Sequence, residues 1–206
     1  GGSKPAAIDN TVVLSYSSGE IYALDENDGS LIWFDNVGSS NYFSRSALND
    51  IQSPLSIVNN KVYSPTFSDK LLVYDLNEGS KIWELKVSSI NQVIISGEAL
   101  YIIDTLGKLL CLDSKSGKLL WSVQIGGGNV PIVSGNSLFL IDNSNILYAM
   151  NAKNGKIKWM KQFDSNIEEG FYFKDTKKIK FKGPFLIDNK LTLFSSNGYI
   201  NLIDPL

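Results

Sequence analysis

The sequence predicts an all-β fold, a β-propeller of four-stranded antiparallel blades with about five blades present. Three observations predict it. An acid or Asn, three residues, Gly, Ser or Lys, two residues and Trp recur at fixed offsets in four segments. These are GEIYALDENDGSLIW from Gly19, DKLLVYDLNEGSKIW from Asp69, GKLLCLDSKSGKLLW from Gly107 and NILYAMNAKNGKIKW from Asn145. A fifth copy, GYINLIDPL from Gly198, stops after its acidic position. Second, a turn residue stands nine positions before every copy: Asn10, Asn60, Glu98, Asn136 and Asn189. Third, the segments between these landmarks are short, rich in β-branched and aromatic residues, and without helical periodicity.

Each repeat reads as four strands in order. The first is a short apolar run before the turn: AAID from Ala6, LSIV from Leu55, QVII from Gln92, PIVS from Pro131 and FLID from Phe185. Pro5, Pro54, Pro131 and Pro184 open or precede four of these runs, where a ladder donor can be spared. The second strand follows the turn, as in VVLSY from Val12 and SLFLIDN from Ser137. The third ends at Asp25, Asp75, Asp113, Asn151 or Asp204, whose side chain can bond the turn backbone. Gly29, Gly79, Gly117 and Gly155 then relieve a turn that needs positive φ. The fourth strand carries Trp33, Trp83, Trp121 or Trp159. The blades so defined cover residues 5–37, 54–88, 91–125, 129–163 and 184–206, the last incomplete.

Copies two to four start 38 residues apart, but the first interval is 50 and the last 53. The excess falls between blades, at about residues 37–53 and 164–183. In a repeat scaffold such departures are where specific function is placed.

Composition narrows the function classes. A net charge of −2 argues against bulk nucleic-acid binding, which needs a basic footprint. No apolar run reaches 18 residues, so no helical transmembrane segment is expected. The absence of His removes Ser-His-Asp triads and most zinc sites. Cys111 is the only cysteine and reads as a small core residue in a third strand.

The Asp-x-x-x-Gly-[Ser/Lys]-x-x-Trp pattern resembles the pyrroloquinoline-quinone-type propeller repeat. That resemblance implies that each Trp docks against the next blade while the Gly permits close backbone approach. The roles fall to Trp33, Trp83, Trp121 and Trp159, with Gly29, Gly79, Gly117 and Gly155. Within that superfamily the chain is similar to the BamB family of outer-membrane lipoproteins of the β-barrel assembly machinery. RSALNDIQSPLSIVNNKVY, from Arg45, resembles a stretch where an acidic loop, L-x-D-[VI]-D, precedes a Thr/Ser-Pro strand start. Here Leu48, Asp50, Ile51, Gln52, Ser53 and Pro54 stand in that order, with Gln52 in place of the second Asp. SSINQVIISGEALYIIDTLGKLLCLDSKSGKLLW resembles the blade that follows.

The resemblance implies a non-catalytic scaffold without cofactor or metal, part of an eight-bladed ring of which this chain is the C-terminal half. It also implies a periplasmic location, anchored at the outer membrane in the full-length protein, and a BamA-like barrel assembly subunit as partner. The contact residues it points to are Asp50, Gln52, Arg45, Leu48 and Asn49; the competing reading is a polar connector in which Asp50 satisfies a turn. The family's Leu-x-Leu-Arg segment would lie upstream of Gly1.

Two other functions share the repeat. A sensor propeller would hold a ligand on its blade-top loops. A quinone-dependent dehydrogenase would need a Ca²⁺ site in the channel, yet the first strands are largely apolar. In the second insertion, Lys178, Lys180 and Lys182 alternate with Ile179 and Phe181 beside the cluster Phe171, Tyr172 and Phe173. This reads either as a basic edge for an acidic partner or lipid, or as a hairpin edge protected by lysines. With only three strands in the fifth blade, the expectation is an open arc or self-association with a second copy, since a closed five-bladed ring would be one strand short.

Overall fold

In the computed structural model, residues 3–37, 53–66, 70–89, 91–163 and 179–205 are described. The described residues form nineteen strands and no helix. The first sheet contains β1 (Ala6–Ile8), β2 (Thr11–Ser15), β3 (Glu20–Asp25) and β4 (Leu31–Asn36). The second contains β5 (Ser56–Val58), β6 (Lys61–Pro65), β7 (Leu71–Asp75) and β8 (Lys81–Leu85). The third contains β9 (Ile94–Ser96), β10 (Ala99–Ile103), β11 (Lys108–Asp113) and β12 (Leu119–Gln124). The fourth contains β13 (Ile132–Ser134), β14 (Ser137–Ile141), β15 (Ile146–Asn151) and β16 (Ile157–Gln162). The last has three strands, β17 (Phe181–Ile187), β18 (Lys190–Ser195) and β19 (Ile200–Ile203). Every sheet is a meander in sequence order. Two compact units divide the chain: Gly1–Thr105 with Leu110–Leu119, and Leu106–Leu109 with Leu120–Leu206.

The turns explain the meander. The first two strands of each blade are joined by two-residue turns, and Asn59–Asn60 and Asp188–Asn189 both have positive φ at the two positions. That is the twist a tight hairpin needs, and Asn and Asp tolerate it. Between the third and fourth strands, the acid or amide side chain caps the turn. Asp75 Oδ1 accepts from the backbone N–H of Asn77 at 2.8 Å, and Asn151 Oδ1 from that of Lys153 at 2.9 Å. Ser116, through its hydroxyl first and then its backbone N–H, holds the Asp113 carboxyl below its ordinary range.

Each unit has cores between its own consecutive sheets. In the first, Val13, Ile21, Ala23 and Trp33 pack against Leu55, Val62, Leu72 and Tyr74. A second cluster there joins Tyr63, Leu71 and Val73 to Leu100, Ile102 and Leu112. In the second unit, Phe139, Ile141, Leu147 and Ala149 meet Leu191 and Leu193. Alternation sends neighbouring residues to opposite faces, so a central strand buries both.

One strand departs from the sequence pattern. β17 begins at Phe181, upstream of the Pro184 where the pattern starts it. Its pairing with β18 shifts between Lys182 and Phe185. The irregularity takes up Gly183 and Pro184, because Pro has no N–H for the ladder.

Cys111 is 1% exposed, and burial pushes its thiol up to about 11 from an ordinary 9.0, against a smaller opposing effect of Tyr101. The Tyr101 hydroxyl rises to about 12, chiefly through burial. A raised folded-state value means the thiol is neutral in both states below pH ~9, while only the unfolded chain ionises between pH ~9 and ~11. Stability is therefore present below pH ~9 and lost through that window, by about 3 kcal/mol for a shift of this size. Urea titrations at pH 7 and 10.5 should show a smaller pH-dependent loss in Cys111→Ala than in the parent. Native protein should also leave an aromatic disulfide reagent unreacted at pH 8 until urea is added.

Candidate functional site

Three structural features bear on function: the indole contacts that join sheets, the anchored ends of the two insertions, and a cavity lined by first strands. The indole contacts repeat. A Cβ on Gly79 would lie 2.5 Å from Cγ of Trp33, and one on Gly117 2.8 Å from Cε3 of Trp83. In the second unit, a Cβ on Gly155 would lie 2.6 Å from Cε3 of Trp121. Each indole N–H donates to the carbonyl just after the turn acid or amide. Trp33 reaches Leu76 at 2.6 Å, Trp83 reaches Ser114 at 3.3 Å and Trp121 reaches Ala152 at 3.1 Å. A tilted Trp33–Tyr74 stack at 5.7 Å adds to the first, and the Tyr74 hydroxyl donates to Asp35 at 2.7 Å. Burial, with the Asp35 carboxylate behind it, raises the Tyr74 phenol far above its ordinary value.

Gly29 differs from the others. It keeps a positive φ of 71°, but nothing lies within 4 Å of an added Cβ. It serves its turn alone. Trp159 packs on Phe139 with ring centres 6.2 Å apart.

The sequence-derived contact residues Arg45, Leu48, Asn49, Asp50 and Gln52 lie outside the described residues. What the structure places is the frame that holds them. At the upstream end, the Val37 N–H donates to the Gly19 carbonyl at 2.9 Å. At the downstream end, the buried Ser53 hydroxyl donates to the Ser89 carbonyl at 2.7 Å. The Ser89 hydroxyl in turn donates to Ile103 O at 2.7 Å and accepts from Asn91 N–H at 3.1 Å. This serine relay escaped the sequence reading, because no spacing distinguishes a buried hydroxyl from a loop serine.

The second insertion is held comparably in its own unit. Phe163 N–H donates to Asn145 O at 3.0 Å, and the Asn145 side-chain amide donates to Ile179 O at 2.7 Å. Asn129 reaches Phe181 O at 3.0 Å, and the Phe163 ring packs tilted against Phe181 with centres 5.0 Å apart. Asn145 stands where three of the other copies have Gly and keeps the positive φ of 63°. It supplies an amide a glycine lacks, a signal visible as the one Asn at that position. Beyond these anchors Ile179 is buried while Lys180 and Lys182 are exposed; Phe171, Tyr172, Phe173 and Lys178 lie outside the described residues.

The cavity, about 400 Å³, is lined in the first unit by β1, β5 and β9 and the residues leading into them. Its side chains are mainly Ala, Pro, Val, Ile and Leu, with Lys4, Ser56 and Gln92 the polar ones. Among the described residues no carboxylate lines it, and the Ser56 hydroxyl is already committed to Val93 O at 2.9 Å. A hard divalent cation, and a quinone held through one, needs several oxygen ligands with negative charge. This donor set does not fit them.

A family model described as outer membrane protein assembly factor BamB matches residues 1–123 and 100–170. The chain belongs to the BamB family. Among curated relatives, the BamB proteins of Moranella endobia and Salmonella typhimurium are 26% and 25% identical over 105 residues. That of Legionella pneumophila is 30% identical over 104 residues. Each alignment takes in 50% of this chain and only 27% of the relative. Among solved structures, BamB from Moraxella catarrhalis superposes with a TM-score of 0.75 at 22% identity, covering 98% of this chain and 58% of that one. A europium-containing methanol dehydrogenase superposes with a TM-score of 0.71 at 14% identity, covering 99% and 49%. At these identities the structures show the shared β-propeller fold.

Two substitutions separate the two kinds of turn glycine. Gly29→Ala should cost about 1–2 kcal/mol, the strain of a left-handed Cβ. Gly79→Ala carries the same strain plus overlap with a buried, hydrogen-bonded indole, adding about 1–3 kcal/mol. Urea midpoints of the two variants, with a common slope, check the ranking.

Proposed function

We propose that this chain is part of a non-catalytic protein–protein interaction scaffold for outer-membrane β-barrel protein assembly. It works in the periplasm, anchored at the outer membrane in the full-length protein. The observation that carries this reading is the BamB family match across residues 1–170. The chemistry supports it. The chain has no His, its single thiol is buried and protonated at neutral pH, and the described residues of the cavity lining include no carboxylate. His-based acid–base, thiolate and calcium-assisted mechanisms each need one of these groups. The quinone-enzyme likeness is one of fold, and no feature of the lining favours it.

The partner is a BamA-like barrel assembly subunit, and the first insertion carries the contact through Asp50, with Arg45, Leu48, Asn49 and Gln52 around it. The buried relay from Ser53 through Ser89 supports this assignment, because it holds the loop's downstream end on a rigid sheet. A pinned loop loses less freedom on binding than one with mobile ends. Immobilised periplasmic domains of the BamA-like subunit should retain the full-length protein, and Asp50→Arg should weaken retention at least tenfold with an unchanged thermal melt. Retention unaffected by Asp50→Arg would remove the insertion from the interface. No retention of a folded parent would overturn the partner.

A further inference from the structure

We infer that the free edge of the fourth sheet, along β16 and the turn before it, docks on an anionic lipid surface. The inference goes beyond the assembly reading and does not rest on it. The repeat supplies the comparison. Residues 5–37 carry six acids and no base, residues 54–88 four of each, and residues 91–125 three of each. Residues 129–163 carry four lysines, Lys153, Lys156, Lys158 and Lys161, against one acid, Asp142. All four lysines are exposed. Asp142 is buried, and its carboxylate is committed within the sheet, accepting from the N–H groups of Ser144 and Ile146 and from the Tyr148 hydroxyl. In the second and third sheets lysines are met by carboxylates, Lys70 and Lys81 by Glu84 and Lys115 by Glu98. Among the described residues no carboxylate pairs with the four lysines of the fourth sheet.

The exposure belongs to this sheet's own geometry. Both of its faces are already covered: Leu138, Leu140 and Met150 on one, and Phe139, Leu147 and Ala149 on the other, are at most 1% exposed. β16 closes the meander and, among the described residues, pairs only with β15, so the edge stays open where the faces do not. The pairing then sorts that edge chemically. Met160 pairs with Tyr148 and Ile157 with Met150, which alternation puts on one face. Both are exposed, at 64% and 47%. Lys161 pairs with Leu147, on the other face. The bulge at Ala149–Met150 leaves Lys158 unpaired and turns it the same way, where its ammonium donates to the Ser137 hydroxyl at 2.6 Å. The edge is therefore apolar on one side and basic on the other, with Lys153 and Lys156 at its end. That arrangement suits a bilayer interface, where apolar groups enter between headgroups and long lysine stems keep their charge among the phosphates. The choice of base fits too. A defined carboxylate or phosphate pocket favours the planar fork of arginine, whereas a compact charge on a flexible stem suits a layer of mobile headgroups.

Co-sedimentation of the 206-residue chain with lipid vesicles tests this. One set of vesicles is phosphatidylcholine alone, the other phosphatidylcholine and phosphatidylglycerol in equal parts. The parent should pellet with the anionic vesicles and not with the neutral ones, and added salt should release it. Lys156→Gln combined with Lys161→Gln should weaken that binding about 25-fold, from roughly fivefold per lysine, with an unchanged thermal melt. Lys4→Gln combined with Lys86→Gln makes the same charge change on exposed lysines of the first unit and should leave binding unchanged. A folded parent that stays in the supernatant of anionic vesicles overturns the proposal. So does binding that the Lys156 and Lys161 changes leave intact. An equal loss in the Lys4 and Lys86 variant would make net charge alone responsible and also overturn it. Retention on immobilised polyglutamate, with none on vesicles, would put an acidic protein in place of the lipid.

Discussion

The structure depends on one contact, the seating of an indole on a bare glycine in the following sheet. Trp33 on Gly79 shows why both residues are needed. The indole fills the space a Cβ would take and places its N–H on a carbonyl that the turn leaves unpaired. Burial, ring stacking and a desolvated hydrogen bond are thus achieved by one side chain, and truncating it would forfeit all three. The turn acid or amide makes this possible. By bonding the N–H groups that follow, it orients the next carbonyl toward the neighbouring sheet.

With sheet-to-sheet packing handled by a repeated device, the connectors between sheets are free to vary. The two long ones are not simply attached. Their ends are held by polar side chains: Ser53 and Ser89 in one unit, Asn129 and Asn145 in the other. A buried hydroxyl or amide is costly unless bonded, so a full set of partners at an insertion boundary fixes where regular structure stops. This division between a repeated frame and anchored connectors suits the scaffold role proposed above.

Much of the fold was legible in the sequence because its signals were repeated. A single Asp-x-x-x-Gly says little, but the same spacing ending in Trp four times identifies strand, turn and strand together. Cys111, read as a small core residue of a third strand, is 1% exposed. What remained hidden depends on context outside the repeat. Gly29 has the motif of Gly79 but no indole upon it, since no described indole precedes it. The early start of β17 was masked by Gly183–Pro184, which reads as a strand opening and is accommodated within an irregular pairing. Ser89 looks like any loop serine until its depth is known. The contact residues around Asp50 were legible only through family resemblance, since an acidic loop has no period.

The indole contact also has a direction. Trp33, Trp83 and Trp121 each reach forward, so a sheet donates a ring to its successor and lends a glycine to its predecessor. Cleavage between two sheets therefore leaves unlike wounds. The downstream piece begins with an unoccupied glycine shelf beside apolar residues such as Val62, Leu72 and Tyr74. The upstream piece ends with a stranded indole and the apolar strands beneath it. Both products expose apolar side chains, but only the upstream one also holds an indole N–H that has lost its carbonyl, so the two cut faces differ in chemistry.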